Sequence, residues 1–165
     1  MVSFDQINDI KQRLCFENCL SYPSNKIWLL WRHGLSLHPI VSTDQLIHVE
    51  VSGSHGQFLS YFTAIYAKCT RAKRGNLWDS IMHIQAQIKS TSRPWIIGGD
   101  FNAIAKLDEH AGRSIPDLTS IREFSTLISD AALLELPTSG GPFTWTGVRH
   151  SGRVWRRLDR LLVNQ

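Results

Sequence analysis

Residues 94–102 read Pro94-Trp95-Ile96-Ile97-Gly98-Gly99-Asp100-Phe101-Asn102. Three apolar residues behind a proline predict a short buried strand, and its end delivers a carboxylate and a carboxamide two positions apart. If the extended geometry continues past Gly99, Asp100 and Asn102 point to one side of the sheet. The two glycines carry no side chain, so another backbone or a substrate can approach closely. An aspartate here suits a hard cation or a water to be deprotonated. An asparagine can donate to a phosphate oxygen without adding a repelling charge. The ends of strands are where α/β folds place such groups. A second reading stays open at this point, a strand end followed by an Asx-type turn.

The surroundings of this stretch predict its architecture. Upstream, Leu77, Ile81, Ile84 and Ile88 recur at helical spacing and end near Lys89, before Ser90-Thr91-Ser92-Arg93-Pro94 stops the helix. Further back, Ile27–Trp31, Leu35–Val41, Leu46–Val51 and Gln57–Tyr66 are four strand candidates joined by short turns, predicting an antiparallel meander. Ser3 and Gln6 fit a capping box, and Ile7, Ile10 and Leu14 predict a first helix over Phe4–Phe16. Downstream, Leu118, Ile121, Phe124, Leu127 and Ile128 predict a helix over Asp117–Ala131, with late strands at Phe143–Thr146 and Val154–Val163. Strands, helix, strand, helix and strands in succession predict one α/β layered domain with mixed sheets.

Composition agrees: 165 residues, 42% hydrophobic and 19% charged, describe one globular domain and exclude a disordered chain. No run of about 18 apolar residues predicts a membrane span. The N-terminus lacks the basic-then-apolar pattern of a signal peptide, so an intracellular monomer is expected, with the nucleus compatible. Cys15, Cys19 and Cys69 are too few and scattered for a disulfide framework, Cys15 and Cys19 have no second pair to complete a zinc site, and two or three of them are expected to be ordinary buried thiols. The seven histidines are scattered without metal-ligand spacing, and Asp108-Glu109 read as loop charges before Gly112, a second carboxylate pair for a metal being the alternative.

The net charge of +4 has a location. Arg149, Arg153, Arg156, Arg157 and Arg160 stand against Asp159 alone in the last segment, which therefore carries the whole surplus. Lys68, Arg71, Lys73 and Arg74 form a second cluster. Planar guanidinium groups suit phosphate because they donate two parallel hydrogen bonds. Arg74, Arg153 and Arg157 are therefore candidate nucleic-acid contacts, and Trp145 and Trp155 candidates for base stacking. In one continuous strand from Val154 to Val163, Arg156, Leu158 and Arg160 would share a face. Arg157 and Asp159 would share the other and pair.

The Gly98-Gly99-Asp100-Phe101-Asn102 stretch resembles the endonuclease/exonuclease/phosphatase superfamily when read with Phe143-Thr144-Trp145-Thr146-Gly147 and Arg157-Leu158-Asp159-Arg160-Leu161-Leu162-Val163. Ile27-Trp28-Leu29-Leu30-Trp31, Thr63-Ala64-Ile65-Tyr66-Ala67 and Leu77-Trp78 narrow the resemblance to the endonuclease domain of plant non-LTR (LINE-type) retrotransposons. It covers almost the whole chain in one order. It implies a DNase I-like four-layer α/β/β/α sandwich, here partial, and Mg²⁺-dependent cleavage of DNA. It implies that Asp100 positions or deprotonates the attacking water and is available to the metal. Asn102 would hold the scissile phosphate, Tyr66 would contact it, and Asp159 would orient a catalytic histidine. The family's metal-binding Glu, expected before the first helix, and its Ser-Asp-His, expected after Val163, have no counterpart here. The resemblance thus implies a domain cut at both ends with little or no activity. A non-catalytic nucleic-acid-binding remnant using the Arg-rich segment is the alternative.

Overall fold

The computed structural model describes residues 4–21, 26–150 and 152–165. Helix α1 (Phe4–Arg13) stops three residues before the predicted end, followed by Cys15 in the left-handed region at φ 56°. The capping-box Ser3 lies outside the described residues. Strand β1 (Asn18–Ser21) carries no strong sequence signal, and it pairs antiparallel with β2 (Trp28–Trp31). Then come β3 (Leu35–Ser42), β4 (Leu46–Gly53), β5 (Phe58–Tyr66), helix α2 (Arg71–Lys89) and β6 (Trp95–Asp100). Short β7 (His110–Gly112), helix α3 (Leu118–Asp130), β8 (Leu133–Glu135), β9 (Trp145–Arg149), β10 (Gly152–Arg156) and β11 (Asp159–Asn164) complete the described elements.

The meander is real for β3, β4 and β5, but β2 is not in it. The large sheet has the order β3-β4-β5-β6-β11-β8, whereas β1 and β2 form a separate hairpin. Packing explains the difference. Ile27 and Leu29 cover Ile47, Val49 and Ala64 on one face of the sheet, so β2 serves as a lid rather than a neighbour. With both faces covered, β4 buries Leu46, Ile47, His48 and Val49 in succession instead of alternating. Pro39, which has no N–H to give a central ladder, sits on edge strand β3 beside a bulge.

The opposite face carries α2 and α3. Leu77, Ile81, Ile84 and Ile88 are buried as their spacing predicts, against Trp95, Ile97 and Leu162 of the sheet. Phe124 of α3 stacks on Trp78 at 5.2 Å and meets Phe101 at 5.1 Å. Helix α1 contacts β1 of the hairpin, and mixed sheets with helices packed on them are the α/β class expected. The crossover through α2 makes β5 and β6 the parallel pair of a sheet otherwise antiparallel.

The late strands and the cysteines depart from expectation. The predicted strand Val154–Val163 is two strands in two sheets: β10 lies between β7 and β9, and β11 lies between β6 and β8. The chain breaks at Arg157-Leu158, where Arg157 N–H donates to the Glu109 carbonyl at 3.1 Å. Side-chain alternation does not carry through such a break, so the faces assigned on a continuous strand do not hold. The cysteines are not buried thiols: Cys15 and Cys69 are exposed and Cys19 is half-buried, since two sit in connections and one on the hairpin. The strand predicted at Phe143 begins at Trp145. Among the described residues no helix is long and apolar enough to cross a membrane.

Candidate active site

Register brings three of the four predicted catalytic residues into one row. Tyr66, the last residue of β5, lies opposite Asp100, the last of β6, and Asp100 lies opposite Asp159, the first of β11. Backbone bonds lock the row from both sides: Ala67 N–H donates to the Asp100 carbonyl at 2.8 Å and Phe101 N–H to the Leu158 carbonyl at 2.9 Å. The glycines make this possible. Gly99 adopts φ +138°, and a Cβ there would stand 2.1 Å from the Ile65 carbonyl oxygen. The close approach permitted by Gly99 is therefore the backbone of β5.

Asn102 arrives by a turn. The extended geometry ends at Asp100, and Asn102 takes the left-handed region at φ 47°, which asparagine tolerates better than most residues. Its N–H donates to Asp100 Oδ1 at 2.8 Å, an Asx turn. Its Nδ2 donates to the Ala67 carbonyl at 2.8 Å and to Asp100 Oδ2 at 3.2 Å. The structure takes the second reading, the strand end followed by an Asx turn, and that turn, not continued extension, brings the carboxamide back beside the carboxylate.

The electrostatics of the row are set first by burial. Burial pushes the Asp100 carboxyl above the usual aspartate range; the Asn102 amide pulls it back, and the neighbouring Asp159 raises it again. Asp159 is exposed, and its carboxylate accepts no hydrogen bond from any described residue. Thr144, which sequence reasoning did not single out as a site residue, positions it: its Oγ1 accepts from the N–H groups of Leu158 and Asp159, both at 3.0 Å. Tyr66 is 37% exposed with the Lys26 ammonium 5.5 Å from its ring centroid, a second residue the sequence did not flag.

The predicted cationic cluster is dispersed. Arg160 is fully buried, bound to both carboxylate oxygens of Glu109 and, at 2.9 Å, to Glu135, with its guanidinium over Phe124. Glu109 is therefore a core partner rather than a loop charge. Arg157 bonds Glu135 at 2.6 Å and Thr138 at 3.1 Å instead of pairing with Asp159. The break before β11 separates their directions. Arg153 is exposed on β10 beside Trp155, which is 39% exposed. Arg149 lies over the Trp145 ring at 5.2 Å. Arg74 is buried, donating to the carbonyls of Lys68 and Cys69 and to Ser120 Oγ.

A family model described as the Endonuclease/Exonuclease/phosphatase family matches residues 8–165. No curated protein matches the chain. Among solved structures, it is similar to the endonuclease domain of TRAS1, a telomere-specific non-LTR retrotransposon, at 16% identity and a TM-score of 0.63. That alignment covers 84% of this chain and 59% of the TRAS1 domain, so the chain spans about three fifths of that relative. It is similar to D. rerio TDP2 complexed with a single-strand DNA product, at 12% identity and a TM-score of 0.57, covering 99% of this chain and 68% of the other. It is also similar to the 3′ phosphatase NExo from Neisseria bound to a product DNA hairpin, at 13% identity and a TM-score of 0.56, covering 99% and 72%.

Proposed function

The chain belongs to the endonuclease/exonuclease/phosphatase family, and from that premise we propose that it is a Mg²⁺-dependent phosphodiester hydrolase acting on DNA, derived from a non-LTR retrotransposon. The observation that carries this reading is the row Tyr66, Asp100 and Asp159 across three adjacent strands, with Asn102 folded back onto it. The likeness to the TRAS1 domain supports the retrotransposon origin.

Asp100, at the end of β6, would position the attacking water or take its proton. Asn102 turns from its longer bond, the 3.2 Å contact with Asp100, to donate to a non-bridging phosphate oxygen. Tyr66, at the rim of the row, donates its hydroxyl to the same phosphate. Asp100 and Asp159 fit Mg²⁺: both are hard oxygen donors, they repel one another in register, and Mg²⁺ takes one or two carboxylates while keeping waters and substrate phosphate. Held by Asp100 and Asp159, Mg²⁺ would supply Lewis-acid chemistry at the phosphate.

Among the described residues no group of three or more His, Cys, Asp or Glu converges, and no histidine contacts Asp159. A general acid is worth roughly 10²–10⁴-fold, so slow cutting is expected of this chain. Supercoiled plasmid incubated with Mg²⁺ tests the reading. Slow nicking, stopped by chelation and by Asp100→Asn, supports it. Retention of DNA without any nicking selects the binding-remnant alternative, for which exposed Arg153 and Trp155 are the natural contacts.

A further inference from the structure

A cavity of about 230 Å³ opens next to Asn102, walled by Arg71, Arg74, Asp117, Ser120 and Arg156. Its charges do not cancel. Arg71 is spent on Asp117, at 3.8 Å, and on Glu123, at 2.9 Å. Asp117 in turn caps α3, accepting from the amides of Thr119 and Ser120. That leaves two guanidinium groups with no carboxylate within ion-pair distance among the described residues. Arg74 is 3% exposed, its three acceptors are all neutral, and its buried Nε–H has no acceptor at all. Arg156 is half-buried and gives only its Nε–H, to His110 Nδ1 at 3.3 Å, so both terminal nitrogens are unengaged.

A buried cation without a counter-ion is costly, and the cost is removed by an anion that reaches it. The volume is several times the roughly 30 Å³ that a water molecule takes in the liquid, enough for a tetrahedral oxyanion. Arg156 offers a free guanidinium fork, while Arg74, its terminal nitrogens already on Lys68, Cys69 and Ser120, adds an uncompensated charge behind it; Asp117 in the same wall is held by Arg71, so the surplus is positive and suits phosphate oxygens. Asn102 belongs both to this wall and to the row of carboxylates.

We propose that this cavity is a phosphate-binding subsite in which Arg74 and Arg156 hold a phosphate group beside the one engaged by Asn102. It rests on the hydrolase reading only for what that phosphate belongs to: a neighbouring phosphodiester of the same DNA strand, or a free phosphate. The arginine Nε–H signals in a ¹H–¹⁵N spectrum report occupancy without any turnover. The full chain is titrated in parallel with inorganic phosphate and with a short DNA duplex. The Nε–H signals of Arg74 and Arg156 are expected to shift saturably with both ligands, the duplex acting at lower concentration. Arg156→Gln is expected to weaken the interaction about tenfold, the scale of a charge-assisted hydrogen bond. Arg156→Lys should retain part of it, and Arg13→Gln, on exposed α1, should leave it unchanged.

Shifts with inorganic phosphate alone support the subsite and assign it to free phosphate; shifts with the duplex assign it to the DNA backbone. Signals that move with neither ligand, or equal affinity for the wild type and a folded Arg156→Gln, overturn the proposal. A failed plasmid assay does not bear on this result, because no cleavage is read.

Discussion

Asp159 and Arg160 are consecutive residues of β11 and meet opposite fates. Strand alternation sends Asp159 out beside Asp100, where like charges crowd and its carboxylate accepts nothing from the described residues. It sends Arg160 inward beneath α3, where Glu109 and Glu135 satisfy it and Phe124 lies against its guanidinium. Burial alone pushes the Glu109 carboxyl up, but the hydrogen bonds and charge of Arg160, with the amides of Ala105 and Lys106, hold it below the usual glutamate range. One cluster is arranged at the expense of its own comfort and the other is closed on itself. The second is a structural clamp, and the first is left with acceptors facing outward. Adjacency in sequence does not predict these fates; the partners each residue meets do.

The largest effect should come from breaking the clamp. Arg160→Met leaves Glu109 buried and unpaired, and about 3–5 kcal/mol of unfolding free energy should be lost in urea titration. Adding Glu109→Leu to that variant should recover part of the loss, because the stranded charge goes too. A single-variant loss below about 1 kcal/mol would show that the cluster is a surface pair in disguise.

The same test on the crowded row should have the opposite sign. Asp100→Asn is expected to lower plasmid nicking by about 100-fold or more. It should also raise the melting temperature at neutral pH. The folded carboxyl is held above its ordinary value, so the folded state binds the proton more tightly and loses stability as pH rises through that window. The amide removes the cost. A variant melting several degrees lower would mean that Asp100 is chiefly a structural acceptor for the turn.

A buried group away from both clusters calibrates the pH response. His48 hydrogen-bonds Thr63 Oγ1 at 2.8 Å, and burial pushes its imidazole from 6.5 down to about 4. The unfolded chain therefore takes up the proton first, and stability falls as pH drops from about 6.5 to about 4. His48→Gln should flatten that limb in melts recorded across the range, and an unchanged limb would assign acid sensitivity to the carboxylates. The smallest effect is expected at Arg157→Gln. Its bond to Glu135 joins side chains 24% and 29% exposed, and about 1 kcal/mol or less should be lost.

The parts legible in the sequence are those written in local pattern. Helical spacing located α2 and α3, and the Trp95-Ile96-Ile97 run located β6. Asp100 and Asn102 were visible as a pair, but the means of pairing was not. An Asx turn and two further glycine-strand residues look alike until φ at Asn102 is known. The row itself depends on register between β5, β6 and β11, which no local signal encodes; only the resemblance placed Tyr66 and Asp159 with Asp100. The Arg160–Glu109 pair joins residues 51 apart, and the break at Arg157-Leu158 interrupts a run of residues that reads as unbroken. Strand β2 reads as a member of the meander because its composition shows burial without showing against what.

The placement of β11 also sets an order of events. It enters between β6 and β8, pairing Leu162 with Ile97 and Glu135 on either side, so its docking closes a loop of more than sixty residues. Such non-local pairing is slow to form, because the entropy of closure is lost before the contacts are gained. Until it docks, β6 presents an open edge on the side that β11 will cover, a template for strands of other chains. Asp159 and Arg160 are delivered in that same step. The chain therefore acquires its clamp and its row of carboxylates together, and any species halted before that step is both aggregation-prone and without a site.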